Sequence, residues 1–436
     1  MIDTRVLEGG HYASEVEAPD VYRARREALQ AQLDDSSLAM VLGASDARGY
    51  GDVGTFRQDP NFFYLTGVEL PNAVLVLEKE HETLFLPERR PNIEAWTGPK
   101  LAPGPETAAL LGFEQVLARE SSEIVVDARR RPVPGFEGRL AAALAESQKL
   151  WIPLPPASLR GDLSEEQRLV EALRQRLPSF SVRDLTPVLT ALRLRKQAGE
   201  VALLRKAVAA TVAGMRAAAA AVRPGVREGA VEGAAYAALR AAGAEGWAFP
   251  PIVGSGVAGC VLHYDANRGV LADGELVVVD IGARWGYYCG DLTRTFPVSG
   301  RFSARQRALY DAVLAAMEAA VAVLRPGANI AEARRAAFSS LQSSGLVGDG
   351  GAPLNDFFIH GIGHFLGLET HDVGGEDPTL EPGMVLTVEP GVYLPDEGIG
   401  IRIEDDYVIT ATGAECLTQG LPRRPEEVEQ LVRGER

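Results

Sequence analysis

The sequence predicts two domains: an α/β domain over residues 1–190 and an α+β domain over residues 191–436 that carries an internal duplication. Helix-like and strand-like segments alternate from residue 21 to about residue 185, as they do in α/β domains. Beyond that region, residues 215–243 recur as residues 317–345. A gapless recurrence of this kind indicates a duplicated structural unit.

The N-terminal domain is predicted from segments with clear periodicity. A capped helix is expected at "APDVYRARREALQAQL", a buried strand at "SLAMVLGAS", and two strands around a charged turn at "NAVLVLEKEHETLFLP". A proline-rich connector, "WIPLPPASLRGDLSEEQ", precedes a further helix. The domain shows no dense cluster of catalytic residue types, and His81 in the charged turn is expected to be solvated.

The duplication is supported by the kinds of residue that the two copies share. Eleven of the 29 aligned positions are identical, although six of these are alanine or methionine in alanine-rich segments. The common Arg-Pro-Gly, the aligned aromatics Tyr236 and Phe338, and the closing glycines are harder to attribute to composition. A duplicated unit would place a functional site between pseudo-symmetric halves, so each half should supply ligands.

Composition argues against several classes of protein. Of the 436 residues 46% are apolar, and 44 basic against 59 acidic residues give a net charge of −15. This balance argues against a nucleic-acid-binding surface and leaves carboxylates available for cations. Three widely spaced cysteines fit a reducing compartment. The sequence shows neither a signal-peptide pattern nor a run of about 18 apolar residues, so a cytoplasmic location without a membrane partner is expected.

Two aspartates mark the first half of the duplicated region. The segment "ELVVVDIGARWGYYCGDLTRTF" contains two apolar runs around a turn, and a turn centred on Trp285 and Gly286 would place Asp280 opposite Asp291. Directly opposed residues have Cβ atoms about 4.5–5.5 Å apart, and like charges there repel. Such a pair would need a shared proton or a cation. The alternative is a shifted register that leaves one exposed aspartate on each strand.

Two further carboxylates occupy the second half. Glu389 ends the apolar run of "MVLTVEPGVYL", where Pro390 stops the strand, and Glu404 lies in "GIGIRIEDDYVIT". Arg402 and Glu404 alternate with isoleucines and therefore share one strand face. Each glutamate alone could be a solvated surface residue. Four acids at matching places in two related halves indicate a cation site instead.

The segment "FIHGIGHFLGLETHDVG" holds three of the six histidines, His360, His364 and His371. The first two have the spacing of a helical zinc site, but that motif needs a glutamate directly after its first histidine. Gly361 and Gly363 each disfavour a helix by about 1 kcal/mol relative to alanine. A glycine-rich turn or strand that allows close backbone approach is predicted instead. A buried structural role stays open for each histidine taken alone.

These segments resemble the pita-bread metallopeptidases, which include aminopeptidase P and prolidase. The resemblance rests on "VLHYDAN", "VDIGARWGYYCGDLTRTFPVSGRF", "HGIGHFLGLETHDVG", "LEPGMVLTVEPGVY" and "GIRIEDDYVIT", in the family's order. It extends to "LRLRKQAGEVALLRKA" and, in the N-terminal domain, to "FRQDPNFFYLTGVELPNAVLVL". It implies a pita-bread catalytic domain with pseudo-two-fold duplication. It also implies a creatinase- and prolidase-like N-terminal domain that serves oligomerisation and cleft closure.

The resemblance implies a dinuclear metal site. Asp280 would hold one ion, Asp291 and Glu404 would bridge both, and His364 and Glu389 would complete the second. Four carboxylates and one imidazole form an oxygen-rich set that suits Mn²⁺, with Zn²⁺ or Co²⁺ as alternatives. Two ions about 3.5–4 Å apart can share a water and present it as hydroxide to the scissile carbonyl.

The resemblance also implies roles for residues around the metals. His263, in "VLHYDAN", and His371 match histidines that contact substrate, and His360 matches a histidine at the rim of the site. His263 and His371 would stabilise a developing oxyanion, while Glu389 would move a proton towards the leaving nitrogen. Arg402 matches the arginine before the bridging glutamate and is expected to keep that glutamate ionised.

The function that follows is the metal-dependent removal of the N-terminal residue from peptides with proline in second position. Three alternatives stay open: a prolidase restricted to Xaa-Pro dipeptides, a methionine aminopeptidase, and a metal-free binding protein on the same fold. A methionine aminopeptidase normally lacks so large an N-terminal domain, and the "RQDPNFFYLTG" segment favours the Xaa-Pro aminopeptidase. A homo-oligomer, either dimer or tetramer, is expected, with Trp96 as a candidate to contact a neighbouring subunit.

Overall fold

The computed structural model describes residues 16–45, 56–92, 94, 99–120, 124–126, 132–154, 162–177, 179–375 and 377–435. Trp96 lies outside these residues. The described chain forms two compact units, one that ends at Arg193 and one that begins at Leu194. Among the described helices, none has the length and apolar character that crossing a membrane requires.

The strands of the first unit form a six-stranded mixed sheet and a separate two-stranded antiparallel sheet. The strands of this unit are β1 (Ser37–Leu42), β2 (Val74–Leu77), β3 (Glu82–Leu86), β4 (Gln115–Ala118), β5 (Ile124–Val126), β6 (Pro132–Pro134), β7 (Lys149–Ile152) and β8 (Ser181–Asp184). The sheet order is β4-β3-β2-β1-β7-β8, with antiparallel pairing from β1 to β3 and parallel pairing at both sides. The predicted buried strand is β1, and the predicted strands around the charged turn are β2 and β3.

The helices of the first unit confirm its predicted α/β class. They are α1 (Pro19–Gln30), α2 (Pro60–Thr66), α3 (Pro105–Leu111), α4 (Gly135–Ser147), α5 (Glu165–Arg174) and α6 (Thr186–Leu194). The first three begin with proline, whose missing N–H costs no helical hydrogen bond at that position. The prediction of a capped helix is correct for the helix but not for the cap: Ala18 forms no side-chain hydrogen bond, and α1 begins with Pro19 instead. His81 is exposed, with Nδ1 3.2 Å from the Glu114 carboxylate.

The second unit repeats a pair of helices. Its helices are α7 (Ala198–Ala221), α8 (Glu228–Ala241), α9 (Ala304–Ala322), α10 (Ile330–Ser343) and α11 (Pro425–Arg433). The turns before α8 and α10 contain Gly225 and Gly327, whose φ angles are 82° and 89°. Their N–H groups donate to the carbonyls of Leu271 and Leu380, at 2.8 and 2.9 Å. The sequence repeat is thus a structural repeat down to its turns.

Each half of the second unit also contributes a long hairpin. The strands of this unit are β9 (Gly246–Trp247), β10 (Ile252–Ser255), β11 (Leu276–Ile281), β12 (Ala283–Trp285), β13 (Tyr288–Cys289), β14 (Leu292–Pro297), β15 (Val385–Val388), β16 (Gly391–Leu394), β17 (Ile399–Arg402), β18 (Asp405–Ile409) and β19 (Ala414–Cys416). In the first half β12 pairs with β13 and β11 pairs with β14. In the second half β16 pairs with β17 and β15 pairs with β18. Apolar side chains of both halves share one core.

The turn of the first hairpin lies one residue later than predicted. Trp285 pairs with Tyr288, so the two-residue turn consists of Gly286 and Tyr287. Their φ angles are 55° and 72°, and a type I′ hairpin turn requires positive φ at both positions. The register shifts accordingly.

This shift makes the predicted direct pairing of two aspartates wrong. Asp280 pairs with Thr293 and not with Asp291. Asp291 instead lies across from Gly282, since Ala283 and Gly290 are joined by a hydrogen bond of 2.9 Å. A displacement of two residues preserves the side-chain alternation, so both aspartates still lie on one face of the hairpin.

Candidate metal centre

Four carboxylates of the second unit lie at strand ends. Asp280 is the penultimate residue of β11, Glu389 follows β15, and Asp291 and Glu404 immediately precede β14 and β18. Both hairpins are interrupted at these points, which frees the side chains from regular cross-strand pairing. The four groups interact electrostatically: Asp280, Glu389 and Glu404 all act on Asp291.

A histidine faces this group of acids. One ligand-type atom from each of Asp291, His364 and Glu404 lies within 4.8 Å of the others. His364 Nε2 is 3.5 Å from Asp291 Oδ2 and 3.6 Å from Glu389 Oε1. These separations exceed those of ordinary hydrogen bonds. The atoms therefore face a common point without bonding to each other, as ligands around an ion do.

Arg402 is buried in the same place, and its main partner differs from the prediction. Nη2 donates to Asp280 Oδ2 at 2.6 Å, and Nε donates to Thr293 Oγ1 at 3.2 Å. Thr293 Oγ1 in turn donates to Glu404 Oε2 at 2.6 Å. Arg402 does not keep Glu404 ionised in the metal-free protein, contrary to expectation: it lowers the pKa of Glu404 only weakly against burial and Glu389. The guanidinium reaches from β17 to β11, and a threonine supplies the hydrogen bond of Glu404.

Burial and crowding raise the pKa of three carboxyl groups. Burial, followed by Glu404 and Asp280, raises the pKa of Asp291 well above its ordinary value. Burial and Glu389 do the same for the pKa of Glu404. Burial raises the pKa of Glu389 to about 7, against the opposing effect of Arg402. Protons therefore compensate the negative charge when no cation does so.

The donor atoms fit a divalent cation. Asp280 Oδ1 is buried and has no hydrogen-bond partner among the described residues, a costly state that coordination would relieve. Burial and His371 lower the pKa of His364 to about 4, so its ring is neutral and can offer a lone pair. Carboxylate oxygens with one neutral imidazole form the kind of set that binds Mn²⁺ or Zn²⁺.

The histidine segment is not helical, as predicted; it is an irregular, bent segment with one isolated β-bridge, between Phe365 and Leu386. It runs beside β15: His364 N–H donates to Thr387 Oγ1 at 3.1 Å, and Thr387 N–H donates to the His364 carbonyl at 2.9 Å. Glu389 N–H donates to the Ile362 carbonyl at 2.8 Å. Gly363 is needed because a Cβ there would lie 2.0 Å from the Thr387 carbonyl oxygen. This close approach sets His364 beside Glu389.

Three further histidines were predicted near the acids, and the structure places them as follows. The His371 ring meets the His364 ring edge-on, with centroids 4.3 Å apart. His360 Nδ1 lies 3.8 Å from Glu389 Oε2. Burial, Arg402 and, more weakly, His263 lower the pKa of His360 to about 4. His263 is exposed and acts electrostatically on His360.

Sequence reasoning missed Tyr393, which connects two of the predicted residues. Arg402 Nη1 donates to the Tyr393 oxygen at 3.0 Å. The Tyr393 hydroxyl donates to His360 Nε2 at 2.8 Å, because Nδ1 of that ring donates to the Gly361 carbonyl at 2.7 Å. The available signal was position, since Tyr393 lies on the strand that follows Glu389 in the segment "VEPGVY".

Asp405 and Asp406 were also not singled out, although they follow Glu404 directly. Both are fully buried. Asp406 Oδ2 accepts a hydrogen bond of 3.1 Å from Asp291 N–H, and Asp405 forms a 2.8 Å ion pair with Arg294. The acidic run "EDD" was the signal for them. These two residues support the strands that carry the candidate ligands, as outer-shell groups do at metal sites.

Comparison with known families identifies both parts of the chain. Residues 202–411 match metallopeptidase family M24, and residues 22–127 match the aminopeptidase P N-terminal domain. The Xaa-Pro aminopeptidase of Escherichia coli (strain K12) is 37% identical over 94% of this chain and 97% of its own length.

Solved structures with the same architecture cover nearly the whole chain. Proline aminopeptidase P II from Yersinia pestis has a TM-score of 0.84 and 34% identity, and the match covers 96% of this chain and 100% of that one. Aminopeptidase P from E. coli with the inhibitor Pro-Leu has a TM-score of 0.84 and 34% identity, with coverage of 96% and 99%. The predicted pita-bread class of the C-terminal part and the α/β class of the N-terminal part are confirmed.

Proposed function

The chain belongs to metallopeptidase family M24, and we propose that it is a metal-dependent aminopeptidase that removes the residue before a proline in second position. One observation carries this proposal. The ligand-type atoms of Asp291, His364 and Glu404 converge within 4.8 Å, in a chain whose relative over nearly its whole length is an Xaa-Pro aminopeptidase.

The ligand assignment is part of the proposal. Five side chains, those of Asp280, Asp291, Glu404, Glu389 and His364, would hold two divalent ions. The partnerless Oδ1 of Asp280 supports its assignment, and the separations of 3.5 and 3.6 Å around His364 Nε2 support that of His364. Two divalent ions in such a site supply Lewis acidity, which lowers the pKa of a water and polarises the scissile carbonyl.

The side chains around the ions bind the peptide and move protons. At 19%, the side chain of Glu389 is more exposed than that of Asp280 or Asp291. It can therefore pass a proton to the leaving nitrogen. His371 is exposed and its ring centroid is 4.3 Å from that of His364, while His263 is exposed and acts electrostatically on His360. Both could donate to the carbonyl oxygen as charge develops on it.

The preference for proline follows from the chemistry of the bond. The amide before proline has no N–H, so an enzyme that recognises this group by a hydrogen bond cannot hold it. The candidate site presents carboxylates, imidazoles and the Arg402–Tyr393 pair, and none of these requires the missing donor.

Metal replacement and substrate length together test the proposed function. Exhaustive chelation should abolish hydrolysis of an Xaa-Pro-Yaa tripeptide, and Mn²⁺ should restore it better than Zn²⁺ or Co²⁺, since the ligand set is oxygen-rich. Activity that survives chelation would contradict the proposal. The tripeptide should be cleaved faster than an Xaa-Pro dipeptide; a strict dipeptide preference would identify a prolidase.

The domain roles, assembly and location complete the proposal. Residues 1–190 serve self-association and residues 191–436 serve catalysis, and the protein is a dimer or tetramer in the cytoplasm. The three widely spaced cysteines support a reducing compartment. Light scattering of the full chain would measure the assembly, and a monomer at micromolar concentration would contradict it.

A further inference from the structure

The linker segment "RKQAGE" has a function in the structure that the metal chemistry does not explain. It covers the connection between α6 and α7 and the first residues of α7. Two of its charged residues, Lys196 and Glu200, are buried, with 6% and 1% of their surfaces exposed. Buried charges are rare unless they are paired. Their partners lie in the loop and the hairpin that carry candidate ligands.

Lys196 forms an ion pair with Asp372. The Nζ to Oδ2 distance is 2.8 Å, and each side chain is 1% exposed. The lysine stem runs along the backbone of Gly367, where an added Cβ would lie 2.2 Å from Asp372 Oδ2 and 2.9 Å from Lys196 Cε. The absence of a side chain at Gly367 therefore makes room for this pair.

The backbone of Lys196 is fixed as firmly as its side chain. Its N–H donates to the Gly383 carbonyl at 2.8 Å, and its own carbonyl oxygen would lie 2.9 Å from a Cβ at Gly383. Gly383 precedes β15, the strand beside the histidine segment. Glu200 completes the anchor, because Oε2 accepts from Gln197 N–H at 3.0 Å and Oε1 accepts from the Tyr288 hydroxyl at 2.9 Å.

Asp372 connects these contacts of Lys196 to its neighbour, His371. The Asp372 N–H donates to the Phe365 carbonyl at 2.9 Å, while its carboxylate binds Lys196. The peptide that follows His371 is thus held from two sides. The His371 ring is exposed, and it stands 4.3 Å from the His364 ring.

A pair of this kind is a poor source of stability, because the cost of removing both charges from water offsets much of their attraction. A group that must stay aligned with a reacting carbonyl gains more from such rigidity, since a displacement of about 1 Å can cost on the order of 10²-fold in rate. We propose that Lys196 is a positioning residue that, through Asp372, holds His371 against the metal-ligand loop. This inference rests on the proposed role of His371.

Mutational coupling tests the proposal. At saturating Mn²⁺, Lys196→Met should lower kcat for an Xaa-Pro-Yaa peptide by roughly 10–100-fold, with unchanged metal content. In a His371→Ala background the same change should lower kcat by less than about 3-fold, because variants that act as one unit are not additive. Asp372→Asn should behave like Lys196→Met.

Two further variants keep the test decisive. If Lys196→Met does not fold, the double variant Lys196→Met with Asp372→Asn takes its place, because it leaves no unpaired buried charge. The double variant is then measured both with His371 and with His371→Ala. Glu245→Gln is the control, because it breaks a partly buried ion pair of the second unit, with Arg284 at 3.1 Å; it should leave kcat unchanged.

The outcomes separate the inference from the proposed function. Equal fold losses from Lys196→Met with and without His371 would show a purely structural pair and overturn the inference, while the proposed function would stand. Full activity of His371→Ala alone would overturn the role of His371, and with it the premise. A loss of kcat in Glu245→Gln as large as in Lys196→Met would likewise show that breaking any such ion pair has this effect.

Discussion

Among the described residues, Arg402 is the buried arginine that forms an ion pair with one of the four candidate carboxylates, and this imbalance of charge defines the chemistry of the site. Arg402 is 4% exposed and forms its closest contact with Asp280, at 2.6 Å. It also donates to Thr293 through Nε and to Tyr393 through Nη1. A single positive charge cannot neutralise four carboxylates, so divalent cations or protons must supply the remainder.

His371 is the residue whose replacement separates substrate binding from metal binding. His371→Ala should lower kcat by about 10²–10³, the usual loss for one oxyanion donor, and should leave the metal content unchanged. Activity assays and metal analysis on the same preparation measure both quantities. His81→Ala, which removes an exposed histidine of the first unit, is the control. Loss of metal from His371→Ala would instead identify this residue as a ligand.

At the scale of residues, the sequence indicated which side chains carry chemistry but not which atoms meet. The pattern "IRIEDD" places Arg402 and Glu404 on one strand face, and that alternation is correct. It cannot show that the guanidinium reaches Asp280, 122 positions earlier. Tyr393 was missed for the same reason, because tyrosines are common in strands and its two partners come from other segments.

At the scale of elements, the first hairpin shows that the sequence of a turn can indicate its approximate position without fixing the strand register. Gly286 was recognised as part of the turn, but the second turn position is Tyr287, at φ 72° and 2% exposed. A buried tyrosine in this conformation is unusual, so tertiary packing, which the sequence pattern does not display, decided the register. The alternation of faces was predicted correctly because a shift by two positions leaves it unchanged.

The glycines of the histidine segment provide a matched pair of substitutions. Gly363→Ala would place a Cβ 2.0 Å from the Thr387 carbonyl oxygen, whereas at Gly361 the nearest atom lies 3.8 Å away. Gly363→Ala should therefore displace His364 and weaken Mn²⁺ binding by about 10–100-fold, the size of effect seen when support around a ligand is lost. Gly361→Ala should bind as the wild type does. Calorimetric titration of stripped protein compares them, and equal affinities would contradict the structural argument.

At the scale of the whole molecule, the duplication explains where the charges are concentrated. Each half contributes one interrupted hairpin with two of the candidate carboxylates, so the symmetry that builds the core also brings like charges together. The recurrence of "RPG" predicted the duplication. In the structure the glycines of its two copies both have positive φ angles and precede equivalent helices. The depth of burial, which raises the carboxyl pKa values, was not predictable, since it depends on the closed packing of both halves.

The raised pKa values fix how stability of the metal-free protein depends on pH. A carboxyl group whose folded pKa exceeds its unfolded value stabilises the fold at low pH and loses that contribution as pH rises through the folded pKa. Glu389 has a pKa of about 7, and those of Asp291 and Glu404 are raised well above their ordinary values. His364 acts in the opposite direction, since its pKa of about 4 costs stability as pH falls below about 6.5. Between pH 6.5 and 8 the carboxyl groups dominate, so metal-free protein should melt at lower temperature as pH rises.

Asp291→Asn tests this balance directly. In the metal-free wild type above pH 7, Asp291 must either keep a proton that the unfolded chain has released or carry a buried charge beside Glu404 and Asp280. Asparagine has nearly the same shape and avoids both costs. The metal-free variant should therefore be more stable than the metal-free wild type by on the order of 1–3 kcal/mol, with a weaker pH dependence, while activity is lost. Calorimetry on both stripped proteins at pH 6.5 and 8 measures the difference. If the variant melted at or below the wild type at pH 8, the carboxylates would not be crowded, and the electrostatic case for a cation between them would fail.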